Sequence, residues 1–210
     1  SGQCDIIGMA RPSIADPFLP KKIEEGRYED IRECIGCNVC VSRWEQGGPP
    51  IWCTQNTTAG EEYRRGWHPE KFTKTTKAEP PVIVLGAGPA GLECAMTLGK
   101  RGYETVQLID AGNVVGGHMN WLTKITGFGD WKRVVDWRKT QIDIHTNVGI
   151  ELNTKLSYEN LLEYGAEHIV FATGSHWDTT RMSAILHDHI GGADASLPSI
   201  VTPEQYMVEG

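Results

Sequence analysis

"PVIVLGAGPAGLECAMTLGKRGYETVQLID", Pro81 to Asp110, decides how this chain of 210 residues folds. Val82 to Leu85 is a short apolar run of the kind that is buried on both faces of a parallel sheet. Gly86, Gly88 and Gly91 follow it as G-x-G-x-x-G, with Pro89 and Ala90 between the last two, and the next residues repeat apolar positions at helical spacing. A second apolar run ends at Asp110, nineteen positions after Gly91. This is a βαβ unit whose turn suits a phosphate. Gly86 permits the tight turn, Gly88 lets the backbone approach a pyrophosphate, and Gly91 lets helix and strand pack closely. The helix start adds free N–H donors and a positive dipole end, and Asp110 is placed to accept hydrogen bonds from ribose hydroxyls.

Further along, "WKRVVDWRKTQIDIHTNVGIELNT" predicts a helix over Val134 to Ile144 and a short strand over Ile150 to Asn153. "HIVFAT" predicts a third buried strand, broken at Gly174. Two short motifs join the nucleotide site. "VVGGHM" supplies Gly116, Gly117 and His118, the last without a proton-transfer role, and "VFATGS" supplies Thr173 and Gly174. Trp131 and Trp137 read either as packing residues of an amphipathic helix or as part of a docking surface. His187 and His189 in "HDH" stand at a metal-capable spacing but read as a solvated loop.

Toward the N-terminus, "EEYRRGWHPEKFTKTTKAEPP" keeps no strand or helix period and predicts an extended connection lying on the surface. Before it, four of the six cysteines fall in one window: Cys34, Cys37, Cys40 and Cys53, spaced C-x2-C-x2-C-x12-C. Three thiolates at steps of three fan around a regular helix, so a loop is needed to make them converge. Gly36 would relieve backbone strain in that loop, and the Gly47 to Pro50 turn would return Cys53 as the fourth ligand. Such a set fits the four corners of a 4Fe-4S cluster, with backbone N–H groups donating to sulfur. Zinc is the rival, since four thiolates also close a tetrahedral site, though structural zinc usually takes two separated pairs. Cys4, in the apolar "CDIIGMA" strand, and Cys94, in the glycine-motif helix, read as packed side chains.

Composition bounds the rest. A net charge of −7 excludes a general affinity for nucleic acid, and no apolar run near twenty residues suggests a membrane span. The opening residues lack a secretory leader, so a cytoplasmic compartment with reduced thiols is expected and favours ligation over disulfides.

Taken together, "CIGCNVCVSRWEQGGPPIWCTQNTTAGEEYRRGWHPEKF", "VIVLGAGPAG", "GGHM", "FATGS" and "GGADASLPSIVTPEQ" closely resemble the iron-sulfur flavoprotein amine dehydrogenases of the trimethylamine and dimethylamine type. Histamine dehydrogenase and the dienoyl-CoA reductases share that architecture. The resemblance implies a larger enzyme of which this chain is a middle segment. Residues 1–32 would be the last strand and helix of an FMN-type β/α barrel, with Gly8 and Arg11 on the FMN phosphate, as barrel phosphates sit on the final loops. Residues 33–54 would hold the cluster, 55–80 would connect, 81–175 would be a Rossmann-like domain for ADP or FAD, and 176–210 would begin an inserted second nucleotide-type domain. It further implies electrons passing from FMN through the cluster to an electron-transferring flavoprotein, with ADP favoured in the glycine site. The catalytic side chains would lie outside this chain, and an incomplete sheet implies a homo-oligomer or the missing pieces of the parent enzyme as partners.

Overall fold

The computed structural model describes residues 2–45, 50–180, 182–183, 187–192, 197 and 199–209, and side chains only as far as Met207. Four parallel strands, β1 (Val82–Leu85), β2 (Val106–Ile109), β3 (Gly149–Glu151) and β4 (His168–Phe171), form one sheet in the order β3-β2-β1-β4. Val82 stands opposite both Val106 and His168. Parallel neighbours need crossovers. Helix α5 (Pro89–Arg101) joins β1 to β2, and α6 (Met119–Leu122), a 3₁₀ turn (Gly129–Lys132) and α7 (Arg133–His145) join β2 to β3. Helix α8 (Tyr158–Glu163) leads into β4. This strand order is that of a dinucleotide-binding half-fold, in which ligands sit at the carboxyl ends of the strands.

The period of two along each strand divides the core between the two faces. Val82, Val84, Val106 and Leu108 pack with Leu92 and Met96 of α5 and with Val135 and Ile142 of α7. On the other face only Leu161 of α8 joins Ile83 and Ile109 in the buried set. Ile142 is 1% exposed. Ile142→Ala is therefore expected to cost about 2–5 kcal/mol, read as a lower denaturant midpoint at unchanged slope.

Several elements differ from expectation for local reasons. The β3 strand stops at Glu151 because Asn153 turns left-handed, with φ +57°, and donates its N–H to Gly112 O. The β4 strand is not buried: it is an edge strand, and Phe171 is 69% exposed because no described element covers its outer face. The expected strand over 4–10 is absent, since no described strand edge stands beside it to take its backbone hydrogen bonds, and Ile6 and Ile7 are exposed. Cys4 is exposed as a result, not packed.

Two short helices follow instead, α1 (Arg11–Ala15) and α2 (Leu19–Glu24). Between them the buried Asp16 accepts the Phe18 N–H, the Lys22 ammonium at 2.7 Å and the Arg32 N–H at 2.9 Å. The connector forms one helical turn, α4 (Glu62–Arg65), but its first residues do not lie on the surface: Gln55 and Asn56 are buried, and the Asn56 amide donates to Ile14 O. Beyond residue 175 the described residues include a Met182 to His189 bridge and a π-type turn (Gln205–Glu209).

Candidate functional site

At the carboxyl end of β1 the chain turns at Gly86, which has φ +98°. A Cβ there would stand 2.3 Å from Ala172 O, so only glycine lets the end of β4 close against the turn. A Cβ on Gly91 would stand 1.8 Å from Gly86 O. At Gly88 a Cβ would meet no protein atom within 4 Å, so this glycine is the one that faces open space. Gly88 caps α5 and Pro89 opens it, leaving the first N–H groups of a thirteen-residue helix for a phosphate. The N–H of Gly116 donates to Ala87 O at 2.8 Å, and a Cβ on Gly117 would lie 3.3 Å from Gly88 Cα. Thr173 and Gly174 follow Ala172 at the same end of the sheet. Three separate sequence motifs thus meet around one turn. His118 stands at the start of α6 with its ring tilted against Trp121.

Asp110 does more than was expected of it. Its carboxylate accepts the Ala87 N–H and the Gly112 N–H, both at 2.6 Å, and so ties the glycine turn to the loop after β2. Each oxygen keeps a further acceptor position for a ribose hydroxyl. Asp110→Ala leaves both donors without this partner and is expected to cost about 1.5–3 kcal/mol in chemical denaturation, before any nucleotide is added.

The four cysteines of the C-x2-C-x2-C-x12-C motif line a single recess together with Arg11, Asn38 and Thr54. Left-handed turns at Gly36 (φ +68°) and Asn38 (φ +58°) bend the segment between them, and Cys40 sits in the first turn of α3 (Val39–Glu45). The convergence comes from a loop plus the start of a helix, where a loop alone was expected. The Gly47 to Pro50 turn lies outside the described residues but for Pro50. Donors already point at sulfur: the Gly36 N–H lies 3.4 Å from Cys34 Sγ and the Gln55 N–H 3.3 Å from Cys53 Sγ, while the Thr54 hydroxyl stands 3.1 Å from Cys37 Sγ. Burial pushes the Cys53 thiol pKa up, against the pull of the Asn56 and Gln55 N–H groups. Among the described residues no three His, Cys, Asp or Glu form a set for one metal ion. The donor set of four thiols with N–H donors to sulfur fits an iron-sulfur cluster.

A family model for pyridine nucleotide-disulphide oxidoreductases matches residues 80–196, more than half of the chain. The chain belongs to that family. The resemblance to amine dehydrogenases is equally clear. Dimethylamine dehydrogenase of Hyphomicrobium sp. (strain x) is 53% identical over 98% of this chain, which covers 28% of that protein. The solved histamine dehydrogenase from Rhizobium sp. 4-9 superposes with a TM-score of 0.80 at 50% identity, over 84% of this chain and 25% of that one. For 6-hydroxypseudooxynicotine amine oxidase from Pseudomonas geniculata N1 the TM-score is 0.88 at 42% identity, over 96% of this chain and 30% of that one. The chain thus spans about a quarter to a third of the length of these relatives.

The pyridine nucleotide-disulphide oxidoreductase unit reaches the cysteine segment through buried charge that the sequence did not announce. Arg138 of α7 is 3% exposed and donates to Gln55 Oε1 and Val134 O, both at 2.8 Å. Its Nε pairs with Glu93 of α5 at 2.7 Å. Arg32 donates to Gln55 O at 2.7 Å and lies over the Trp137 ring at 4.1 Å. Trp137 is thus a packing residue, and its N–H donates to Asp30 O. Trp131 is half-buried, edge-on to Phe128.

The remaining expected residues are placed less tellingly. Arg11 turns to Asn38 Oδ1 beside the cysteines, and Gly8 is exposed. His187 and His189 are exposed as well, with His189 bonded to Thr180 O. Cys94 packs half-buried against the core, where burial pushes its thiol pKa up. A polar cavity of about 600 Å³ lies between α2, the connector and α7. Most of its charges are already partnered, Lys22 by Asp16 and Glu70 and Arg27 by Asp30. Lys100, on its wall, is pulled down to about 8 by burial.

Proposed function

We propose that this chain is the electron-relay segment of an amine-oxidising flavoenzyme: Cys34, Cys37, Cys40 and Cys53 hold a 4Fe-4S cluster, and the glycine turn holds ADP. The observation that carries this reading is the single recess lined by all four cysteines, with N–H donors already directed at two of the sulfurs. A cluster bound there supplies one-electron transfer at a fixed position. The chain's own part is to ligate it, to shield Cys53 and to direct hydrogen bonds at its thiolates. Structural zinc usually takes two separated cysteine pairs, whereas here three cysteines follow one another at steps of three and one stands apart.

On this reading residues 1–32 belong to an FMN barrel, with Gly8 and Arg11 toward its phosphate. Electrons from a secondary or tertiary amine reach the cysteine segment by way of FMN and leave to an electron-transferring flavoprotein in the cytoplasm. Asp110 and the glycine pairs fix the nucleotide as a structural element. The thinly covered β4 edge, with Phe171 exposed there and Tyr158 and Leu162 exposed on α8, supports association with another copy or with further domains.

Anaerobic purification followed by iron, sulfide and nucleotide analysis tests the proposal. About four irons with matching sulfide and released ADP are expected. Zinc in place of iron would overturn the relay, and released FAD would replace the ADP reading with that of a working reductase domain.

A further inference from the structure

Arg32 is a buried cation in search of its anion. It is 5% exposed and two residues from Cys34. Of the two carboxylates whose charge acts on it, the buried Asp16 is already engaged by Lys22 at 2.7 Å and the half-buried Glu93 by Arg138 at 2.7 Å. Among the described residues Arg32 makes no ion pair. Its guanidinium is left with a carbonyl, Gln55 O, and the face of Trp137. A guanidinium held out of water is costly unless opposite charge stands near it. Burial pulls its pKa down, Glu93 pushes it up and the like charge of Arg138 pulls it down again, yet a guanidinium stays protonated at any pH a protein survives. The same residue that Arg32 grips, Gln55, donates its N–H to Cys53 Sγ.

We propose that Arg32 sets the reduction potential of the group held by the four cysteines, acting as a fixed buried charge that also positions Cys53 through Gln55. The inference rests on the reading of those cysteines as a cluster site. A neighbouring positive charge favours whichever state carries the extra electron, and since Arg32 neither gains nor loses a proton, the electron is taken up without one. Arg138 contributes far less, because Glu93 balances it.

The test is a potentiometric titration, followed by electron paramagnetic resonance, of anaerobically purified Arg32→Gln and Arg32→Lys proteins with iron counted in each. Arg32→Gln with full iron is expected to shift the reduction equilibrium against the reduced state by about tenfold, ~59 mV more negative in a one-electron couple. Arg32→Lys, which keeps the charge, is expected to restore most of that shift. A wild-type potential in iron-replete Arg32→Gln overturns the inference, as does an equal shift in both variants, which would mark geometry and not charge. Should Arg32→Gln fail to retain iron, retention by Arg32→Lys supports the charge and loss in both overturns it. Wild-type protein without iron and sulfide overturns the cluster reading itself, and this inference with it.

Discussion

Cys53→Ala protein purified without oxygen is expected to carry less than about one iron per chain where the wild type carries about four, with the visible absorbance of the cluster gone. Cys34, Cys37 and Cys40 come from one short segment, and only Cys53 closes the recess from the other side. Three thiolates leave one corner open to solvent and oxygen. The substitution itself removes little packing, so the folded chain should persist in cluster-free form. Cys94→Ala is the control: it also deletes a half-buried thiol, but one packed against the sheet core and away from the recess. Its iron content should match the wild type. Full iron in Cys53→Ala, or equal loss in Cys94→Ala, would remove the fourth ligand from the proposal.

The second large effect separates two glycines three residues apart. Gly91→Ala places a Cβ 1.8 Å from a backbone oxygen that no side-chain rotation can move aside. Helix α5 must shift off β1, at an expected cost of at least about 1–3 kcal/mol, or some 2–4 °C of melting temperature per kcal/mol in a chain of this size. Nucleotide should be lost along with the turn. Gly88→Ala meets no protein atom within 4 Å and should leave the melting temperature of nucleotide-free protein almost unchanged. Its methyl group would instead occupy the space into which a pyrophosphate comes, and ADP affinity should fall by tenfold or more. Wild-type ADP binding by Gly88→Ala, measured by calorimetry, would move the phosphates elsewhere.

That contrast also shows what could be read in advance. The spacing of Gly86, Gly88 and Gly91 encodes a backbone shape, and the parallel sheet, the crossover helices and the meeting of "GGHM" and "FATGS" at one turn follow from such local rules. The cysteine spacing predicts convergence in the same way, and the four thiols do line one recess. Asp110 was found by its position but assigned only to ribose, since its bonds to Ala87 and Gly112 depend on how two loops meet. The strand expected at "CDIIGMA" failed for a related reason: an apolar run becomes a strand only beside another edge. Arg32, Gln55 and Arg138 carried no signal at all. In a polar stretch a charged residue reads as solvated, and nothing in the spacing of residues 32, 55, 93 and 138 reveals that they meet.

Gln55 therefore redraws the boundary that the paired prolines at 80 and 81 suggest. Its side chain and carbonyl are the common seat of two guanidinium groups, one from each side of that point. A chain begun at residue 81 would keep its strands and its glycine turn, yet Arg138 would lose the amide it grips and Trp137 the cation stacked on its ring. The nucleotide-binding half has no finished wall of its own on that side; the cysteine segment is its missing surface.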